Sequence, residues 1–377
     1  METITSNAIK SHLIYYWVNS RKIILINKKI DVAVVGAGFI SQVAHIKNLA
    51  EIEHVNLVGL AELRPKLGDL VANKFNIPRV FSSHKDLIEN GKADLVYVIT
   101  RRHHTGPIAM DFLEANYNVF TEKPMAQTYE KSKLLVEKAN LNNCLYSVGF
   151  MRRYDRGVIK AKEIFQTLQN DKSLGKVLSA RIYLSAGGDY CNISGDIKSD
   201  EPKPMHVDWP IAPEFLEDGL HREYEHFVNV NGHDINLMRY FFGMPLEVSH
   251  CYYKKSTGAV CIFDYDDFPV TYTWADTLQL TTWEEGLEIN FEKGSLKLEM
   301  PPGFLINVPS TVKLTSWRSK DDIDTKHIQS DWSWAFKNED FLVTKSTLEG
   351  NPSLSNGKDS LEDMKLIEAI WKKISKN

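Results

Sequence analysis

Two side chains in this sequence have the types and positions needed for proton and charge chemistry. Lys123 follows a predicted strand in the run Thr121-Glu122-Lys123-Pro124, and His233 opens a predicted helix. A lysine ammonium can stabilise negative charge on an oxygen, and a histidine can accept the proton of a hydroxyl group. Such a pair suits hydride transfer from a secondary alcohol, which needs both a base and a nearby cation. The simpler interpretation of Lys123 is a solvated lysine before a turn proline.

A glycine turn near the N-terminus supplies the context for Lys123. The run Val32–Val35 is apolar without alternation, which is typical of a strand buried on both faces of a parallel sheet. Gly36 then permits a tight turn, and Gly38, which lacks Cβ, lets the backbone approach a pyrophosphate. A helix predicted from Ile40, just after Phe39, points its free N–H groups at the same anion. We therefore place all four residues in a predicted dinucleotide site.

Glu62 lies at the end of a second predicted strand, Val55–Ala61, about twenty residues after the glycines. A carboxylate there can accept hydrogen bonds from the ribose hydroxyls of the adenosine and repels a 2′-phosphate, so the sequence favours NAD. Arg64 and Lys66 follow closely and offset part of this repulsion, which leaves NADP as the alternative cofactor. A solvated acid at the strand end of another α/β protein is the competing interpretation.

The elements that must position these residues fall into two blocks. Strand and helix patterns alternate from residue 29 to about residue 150, which predicts a doubly wound parallel Rossmann sheet with its ligand at the carboxyl ends of the strands. Beyond residue 175, strands rich in aromatic and β-branched residues follow one another between short turns. We expect an α/β chain with an extension (1–28), an NAD(P)-binding domain (29–150) and an α+β substrate-binding domain (151–377) on a largely antiparallel open sheet.

Composition excludes several classes of protein. Charged residues make up 25% of the chain and its net charge is −4, without long blocks of one sign, so we expect neither a nucleic-acid face nor a membrane-seeking patch. No apolar run approaches the roughly 18 residues that span a bilayer. The four cysteines, Cys144, Cys191, Cys251 and Cys261, show no framework spacing and are expected to be reduced thiols of a cytoplasmic protein.

Two further features allow more than one interpretation. Residues 186–226 form a long polar connection, which suits a substrate lid and, equally, a surface excursion or a subunit contact. His221, His226 and His233 suggest a metal site, but their spacing fits no common zinc pattern, so we predict no metal.

The glycine turn, the Glu122-Lys123-Pro124 element and the helix-opening His233, in this order, resemble the glucose–fructose oxidoreductase / inositol dehydrogenase (Gfo/Idh/MocA) family. The resemblance implies a nicotinamide cofactor in the first domain and a sugar-like ring held against the open face of the second sheet. It also implies that Lys123 and His233 are catalytic, that Pro124 is often cis, and that Arg153 faces the substrate.

The remaining site predictions come from the same alignment of motifs. Where the family's histidine element carries aspartates, this chain has Asn229 and Asn236. An asparagine can orient a histidine but cannot stabilise its charged form, so the pKa of His233 should be lower than in members with aspartate. Besides Lys123, the predicted cofactor contacts are Thr100, Arg101, His104, Glu122 and Pro124. The predicted substrate contacts are Arg153, Tyr154, Asn229 and Asn236.

The sequence thus predicts an NAD(P)-dependent oxidoreductase acting on a secondary alcohol or ketone of a sugar, cyclitol or nucleotide sugar. Two alternatives remain open: an enzyme that uses bound NAD transiently for elimination or glycosidic cleavage, and a non-catalytic dinucleotide sensor. The open sheet of the second domain predicts a homodimer or homotetramer.

Overall fold

The computed structural model describes residues 28–186, 194–202, 209–255, 257–276 and 283–376, so the predicted extension, apart from Lys28, lies outside the described residues. Its first sheet has six parallel strands in the order β3-β2-β1-β4-β5-β6. These strands are β1 (Ile30–Val35), β2 (Val55–Ala61), β3 (Val80–Phe81), β4 (Leu95–Val98), β5 (Asn118–Glu122) and β6 (Tyr146–Gly149). The strand order reverses between β1 and β4, where such sheets bind their ligands.

Helices connect these strands, as the alternation of patterns predicts. The glycine turn leads into a π-helical segment, Ser41–Ile46, that continues as α1 (Lys47–Glu51). The other helices of this half are α2 (Pro65–Phe75), α3 (His84–Asn90), α4 (Arg102–Glu114) and α5 (Tyr129–Leu141). The central strands β1 and β4 are almost wholly buried, because helices cover both faces of the sheet.

The second sheet has eight strands in the order β14-β13-β12-β11-β7-β10-β9-β8. All neighbouring pairs are antiparallel except β7 and β10, which confirms the predicted largely antiparallel sheet. The strands are β7 (Val177–Ala186), β8 (Glu247–Lys254), β9 (Gly258–Asp264), β10 (Pro269–Asp276), β11 (Trp283–Phe291), β12 (Gly294–Met300), β13 (Thr311–Ser319) and β14 (Asp322–Ile328).

Five helices accompany this sheet and tie it to the first one. They are α6 (Arg156–Asp171), α7 (His221–Val230), α8 (Gly232–Phe242), α9 (Ala335–Leu348) and α10 (Gly357–Ile374). Helix α9 packs on α1 and the π-helical segment, and α10 packs on α5, on α8 and on strand β8. The last two helices therefore hold the two sheets together.

Several local predictions are wrong. The alternation of Trp332, Trp334 and Phe336 is typical of an amphipathic strand, but these residues form none: Trp332 is 79% exposed, and Phe336 lies in the first turn of α9. The expected reduced state is also wrong for Cys251 and Cys261, which face each other across β8 and β9 and form a disulfide bond. Cys144 is a free thiol, and Cys191 lies outside the described residues. Within the described ranges, no helix combines the length and apolar character needed to cross a membrane.

Candidate active site

The glycine turn after β1 has the shape that a dinucleotide needs. Gly36 has a φ of +95°, and a Cβ there would collide with the carbonyl oxygen of Ile99, so only glycine fits without strain. A Cβ on Gly38 would meet no atom within 4 Å, so its backbone faces open space. Phe39 and Ile40 follow at the start of the helical segment, and Ile40 lines the cavity described below. The turn therefore fits a pyrophosphate at the first strand.

Glu62 is buried at the end of β2 and is held on both oxygens. One oxygen accepts a hydrogen bond from the Ala37 N–H at 2.7 Å, and the Arg64 guanidinium donates to both oxygens at 2.7 and 3.0 Å. The hydrogen bond to Glu62 raises the pKa of Arg64. An adenosine ribose would thus meet a carboxylate and a guanidinium together.

A cavity of about 490 Å³ opens at the carboxyl ends of the first sheet's strands. Thr100, just beyond β4, and Glu122 and Lys123, at the end of β5, line it, so the structure brings these three predicted cofactor contacts together. Arg102 also lines it, whereas Arg101 and His104 do not, because the first turn of α4 directs Arg102 inwards. A cofactor contact of Arg101 or His104 remains a prediction.

Lys123 is held at the centre of this wall. Its ammonium donates to the backbone carbonyl of Asn229 and lies 3.3 Å from the Asn229 side-chain oxygen. Burial lowers the pKa of Lys123 to about 8, although the nearby Glu122 carboxylate opposes the shift. The peptide bond before Pro124 is cis, as the resemblance implies.

His233 also lines the cavity, from the first turn of α8. Its ring packs edge-on against Phe150, and Nδ1 has no hydrogen-bond partner among the described residues. Burial lowers the pKa of His233 well below its ordinary value, and the positive charges of Lys123 and Arg152 lower it further. His233 is therefore neutral near neutral pH.

The wall from the second half of the chain contains ionic groups that the sequence analysis missed. Arg152 pairs with Glu285 of β11, and the Trp283 indole N–H donates to the same carboxylate at 3.1 Å. A signal for Glu285 exists in the sequence, since Glu285, Leu287 and Ile289 alternate on the buried face of β11, where a carboxylate is out of place. Burial raises the pKa of Glu285, against the effect of Arg152.

Asp234 adds a second carboxylate to this wall. One of its oxygens accepts a hydrogen bond from the Tyr272 hydroxyl at 2.8 Å, and the other is buried without a partner in the described part of the chain. Burial and the neighbouring Glu285 raise its pKa well above the ordinary range. The raised pKa favours the protonated form of Asp234, in which it can donate a hydrogen bond to a ligand oxygen.

Three predicted substrate contacts are turned away from the cavity. Arg153 is buried against Asn236 and Asp359, and the Asn236 amide donates to Asp363 at 2.7 Å. The Tyr154 hydroxyl lies 3.0 Å from the Ser355 hydroxyl in the core. The reason is the tight helical turn Met151–Tyr154, which directs Arg152 into the cavity and its neighbours towards α8 and α10. Of the four predicted contacts, Asn229 alone lines the cavity.

The long connection is described in part, with residues 187–193 and 203–208 of the predicted lid outside the described residues. Its segment 194–202 runs along the first sheet's helices: Ile197 exchanges two hydrogen bonds with Gln42, and Glu201 accepts the backbone N–H groups of Lys66 and Leu67. Of the described residues of the predicted connection 186–226, His226 of α7 lines the cavity and those from 194 to 225 do not, so the lid interpretation gains no support from the described stretch that precedes His226.

Comparison with known proteins agrees with this geometry. The family described as "Oxidoreductase family, NAD-binding Rossmann fold" matches residues 30–150. The chain is 28% identical to the inositol 2-dehydrogenase/D-chiro-inositol 3-dehydrogenase of Lacticaseibacillus casei over 37% of this chain and 40% of that protein. It is 22% identical to the oxidoreductase YrbE of Bacillus subtilis over 60% of this chain and 57% of that one. The matches thus span about half the length of these relatives.

The whole fold has solved counterparts as well. The 3-ketoreductase KijD10 of Actinomadura kijaniata, crystallised with NADP and TDP-benzene, superposes with a TM-score of 0.71 at 14% identity. The match covers 92% of this chain and 98% of that one. The fold and the resemblance are therefore confirmed: residues 30–150 match the Gfo/Idh/MocA family of NAD-binding Rossmann-fold oxidoreductases, and the chain has the fold of the solved structure over 92% of its length.

Proposed function

We propose that this protein transfers a hydride between a nicotinamide cofactor and a secondary alcohol or ketone of a sugar, cyclitol or nucleotide sugar. The observation that carries the proposal is the single cavity, at the strand ends of a dinucleotide-binding sheet, that both Lys123 and His233 line. NAD is the proposed preferred cofactor, because of Glu62, with NADP as the alternative.

Lys123 and His233 have different roles at the reacting carbon. A bound nicotinamide would supply or accept the hydride. Lys123, oriented by the Asn229 carbonyl, presents a positive charge to a substrate oxygen and stabilises an alkoxide there. His233, uncharged near neutral pH because of its lowered pKa, accepts the hydroxyl proton during oxidation. In the direction of reduction, the same two groups return the proton and bind the carbonyl oxygen.

The second wall suits a substrate with several hydroxyl groups. Arg152 and the indole of Trp283 are donors, Glu285 is an acceptor, and a protonated Asp234 can donate one hydrogen bond and accept another. Trp274 lines the same wall and offers an apolar face to a ring. Paired donors and acceptors beside an aromatic surface are what a polyol ring requires.

The test incubates the purified protein with NAD or NADP and a panel of inositols, aldoses and nucleotide sugars, and follows the ultraviolet absorbance of reduced nicotinamide. Net reduction of the cofactor with one class of polyol is the expected result. Consumption of a sugar without net reduction would favour the transient-NAD alternative. Tight cofactor binding without any conversion across the panel, in either direction, would favour the sensor.

A homodimer or homotetramer is proposed from the second sheet. Its outer face exposes Tyr252 and Val260 as neighbours across β8 and β9, and Trp317 and Ile323 as neighbours across β13 and β14. Exposed apolar groups on an open sheet favour self-association. Light scattering at micromolar concentration should give at least twice the monomer mass, and a monomer would refute this proposal.

A further inference from the structure

A second cluster of ionisable groups adjoins the active-site cavity and shares Glu122 with it. His45 of the π-helical segment is wholly buried; its Nε2 lies 3.1 Å from Glu122 and its Nδ1 lies 2.8 Å from Asp340 of α9. Glu339, the residue before Asp340, is also wholly buried. Aromatic rings of Tyr97, Phe120 and Phe336 surround the His45 imidazole. Three carboxylates thus converge on one imidazole in an apolar shell.

Glu339 is the unexplained member of this cluster. Neither of its side-chain oxygens has a hydrogen-bond partner within the described ranges, although the side chain is fully enclosed. Leaving a buried polar group unpaired is costly, and a buried unpaired carboxylate more so. Burial, followed by the neighbouring Glu122 charge, raises the pKa of Glu339 well above the ordinary range. The site therefore needs either a proton or a cation at this carboxylate.

The three side chains are close enough to converge on one cation, with His45 Nε2 and Glu122 already 3.1 Å apart. One ligand atom each from His45, Glu122 and Glu339 lies within 4.8 Å of the other two. Zinc bonds to imidazole nitrogen and carboxylate oxygen at about 2.0–2.2 Å, which places neighbouring ligands about 3–3.5 Å apart. A proton on Glu339 would find no acceptor, whereas a metal would use the orphaned oxygen directly.

Asp340 contacts His45 from the side away from the proposed ion and can orient its ring. Histidines that bind metals usually donate their other ring N–H to a carboxylate, which fixes the ring and the tautomer. Here Asp340 Oδ1 lies on His45 Nδ1, and Asp340 Oδ2 accepts a hydrogen bond from Asn48 at 3.0 Å. This arrangement leaves His45 Nε2 on the side of Glu122, where an ion bound between the two would replace their present 3.1 Å contact. Glu122 also lines the active-site cavity, which gives an ion an entry path and a position for water.

We propose that His45, Glu122 and Glu339 form a binding site for one divalent transition-metal ion, Zn²⁺ or Mn²⁺, oriented by Asp340. Imidazole with carboxylate oxygens is a ligand set that suits both ions. The ion would hold residues in place and would take no part in the reaction itself. The second Glu122 oxygen accepts a hydrogen bond from the Lys123 backbone N–H at 3.0 Å, so an ion that fixes Glu122 also fixes the segment that carries Lys123. The site would also cross-link α9 to the first sheet.

The experiment measures metal bound to the purified full-length protein. The protein is treated with EDTA, dialysed, incubated with Zn²⁺ or Mn²⁺, freed of excess ion and analysed by mass spectrometry of its metal content, with thermal unfolding run in parallel. We expect about one ion per chain and a Tm several degrees higher than in EDTA. Glu339→Gln, which keeps the shape, should lose both the ion and the Tm increase. Glu368→Gln is the matched control, because it changes a buried carboxylate on α10 outside the cluster.

The competing arrangement is metal-free. The Asp340 and Glu122 charges and hydrogen bonds outweigh the effect of burial and raise the pKa of His45 to about 10, and Glu339 carries a proton. The wild-type protein would then bind neither ion, and its Tm would be the same in EDTA and in metal, which would overturn the proposal. Retention of the ion by Glu339→Gln would overturn it too, by placing the metal elsewhere. If that variant does not fold, Glu122→Gln tests the same loss of metal, and the wild-type measurements stand alone.

Discussion

The two walls of the active-site cavity differ in how the chain positions them. The first wall consists of residues at the carboxyl ends of parallel strands, and Thr100, Glu122 and Lys123 all line the cavity. The second wall is carried largely by a tight helical turn, by the start of α8 and by one strand, and there Arg152 and Glu285 line the cavity in place of Arg153. At the first wall, Thr100, Glu122 and Lys123 stand at or just beyond strand ends that the glycine turn and the strand pattern locate. At both walls the residue that lines the cavity from a helical turn lies one position from the predicted one: Arg102 replaces Arg101 at the start of α4, and Arg152 replaces Arg153 in the turn Met151–Tyr154. The direction of a side chain on a helical turn changes by roughly 100° with each residue, so a motif places such a residue less securely.

The strongest test of the first wall is Lys123→Ala. Removing the cation beside the developing alkoxide should lower turnover by about 10²-fold or more, while adenosine-side binding of NAD is largely retained. His233→Ala should lose a comparable factor by removing the base. Steady-state kinetics with cofactor affinity from fluorescence titration would check both. Lys133→Ala, an exposed lysine paired with Glu137 on α5, is the control and should change neither quantity.

The sequence predicts the first wall of the cavity better than the second. The Rossmann half, its glycine turn and Glu62 are predictable because each depends on local spacing within a strand, turn and helix. The partners of Arg153 depend on which helices meet, which no local pattern specifies, whereas the pairing of Cys251 with Cys261 depends on the exact register of one hairpin, β8 and β9. Strands β13 and β14 are largely exposed and polar, so they lack the apolar alternation by which a strand is recognised.

The second wall is tested by comparing the two adjacent arginines. Arg153→Ala should lower the free energy of unfolding by about 2 kcal/mol, less than the roughly 3–5 kcal/mol typical of a broken buried pair, because Asp359 keeps Arg239. Arg152→Ala should instead raise KM about tenfold by removing a charged donor from the cavity. Chemical denaturation and initial-rate kinetics separate the two effects. A KM effect at Arg153 and none at Arg152 would restore the original assignment of Arg153 to the substrate.

The two walls meet at Asn229, which contacts Lys123 and precedes His233 by one helical turn. The lowered pKa of His233 means that activity in the direction of oxidation falls as pH drops through that value, because the protonated ring is no longer a base. Asn229→Asp adds a carboxylate that favours the charged ring, so this acidic limb should move to higher pH by about one unit. Asn229→Ala should not move it in that direction.

A pH–rate profile of kcat for the three proteins gives the result. If the acidic limb stays in place in Asn229→Asp, another group accepts the proton. His226 is then the next candidate, because it lines the cavity, whereas Tyr154 and Tyr224 are wholly buried.

The smallest effect concerns cofactor choice at the far end of the first wall. The wild-type protein should bind NAD(H) more tightly than NADP(H), because the Glu62 carboxylate repels a 2′-phosphate. Glu62→Gln removes that charge and releases Arg64, which donates to both Glu62 oxygens, so the preference should shift about tenfold towards NADP(H). Intrinsic-fluorescence titrations with both cofactors measure the ratio, and Asp69→Asn, an exposed acid on α2, should leave it unchanged. A wild-type preference for NADP(H) would mean that Arg64, and not Glu62, determines which cofactor binds. The type of residue at the strand end would then not be enough to predict the cofactor, because the contact between Glu62 and Arg64 would also have to be known.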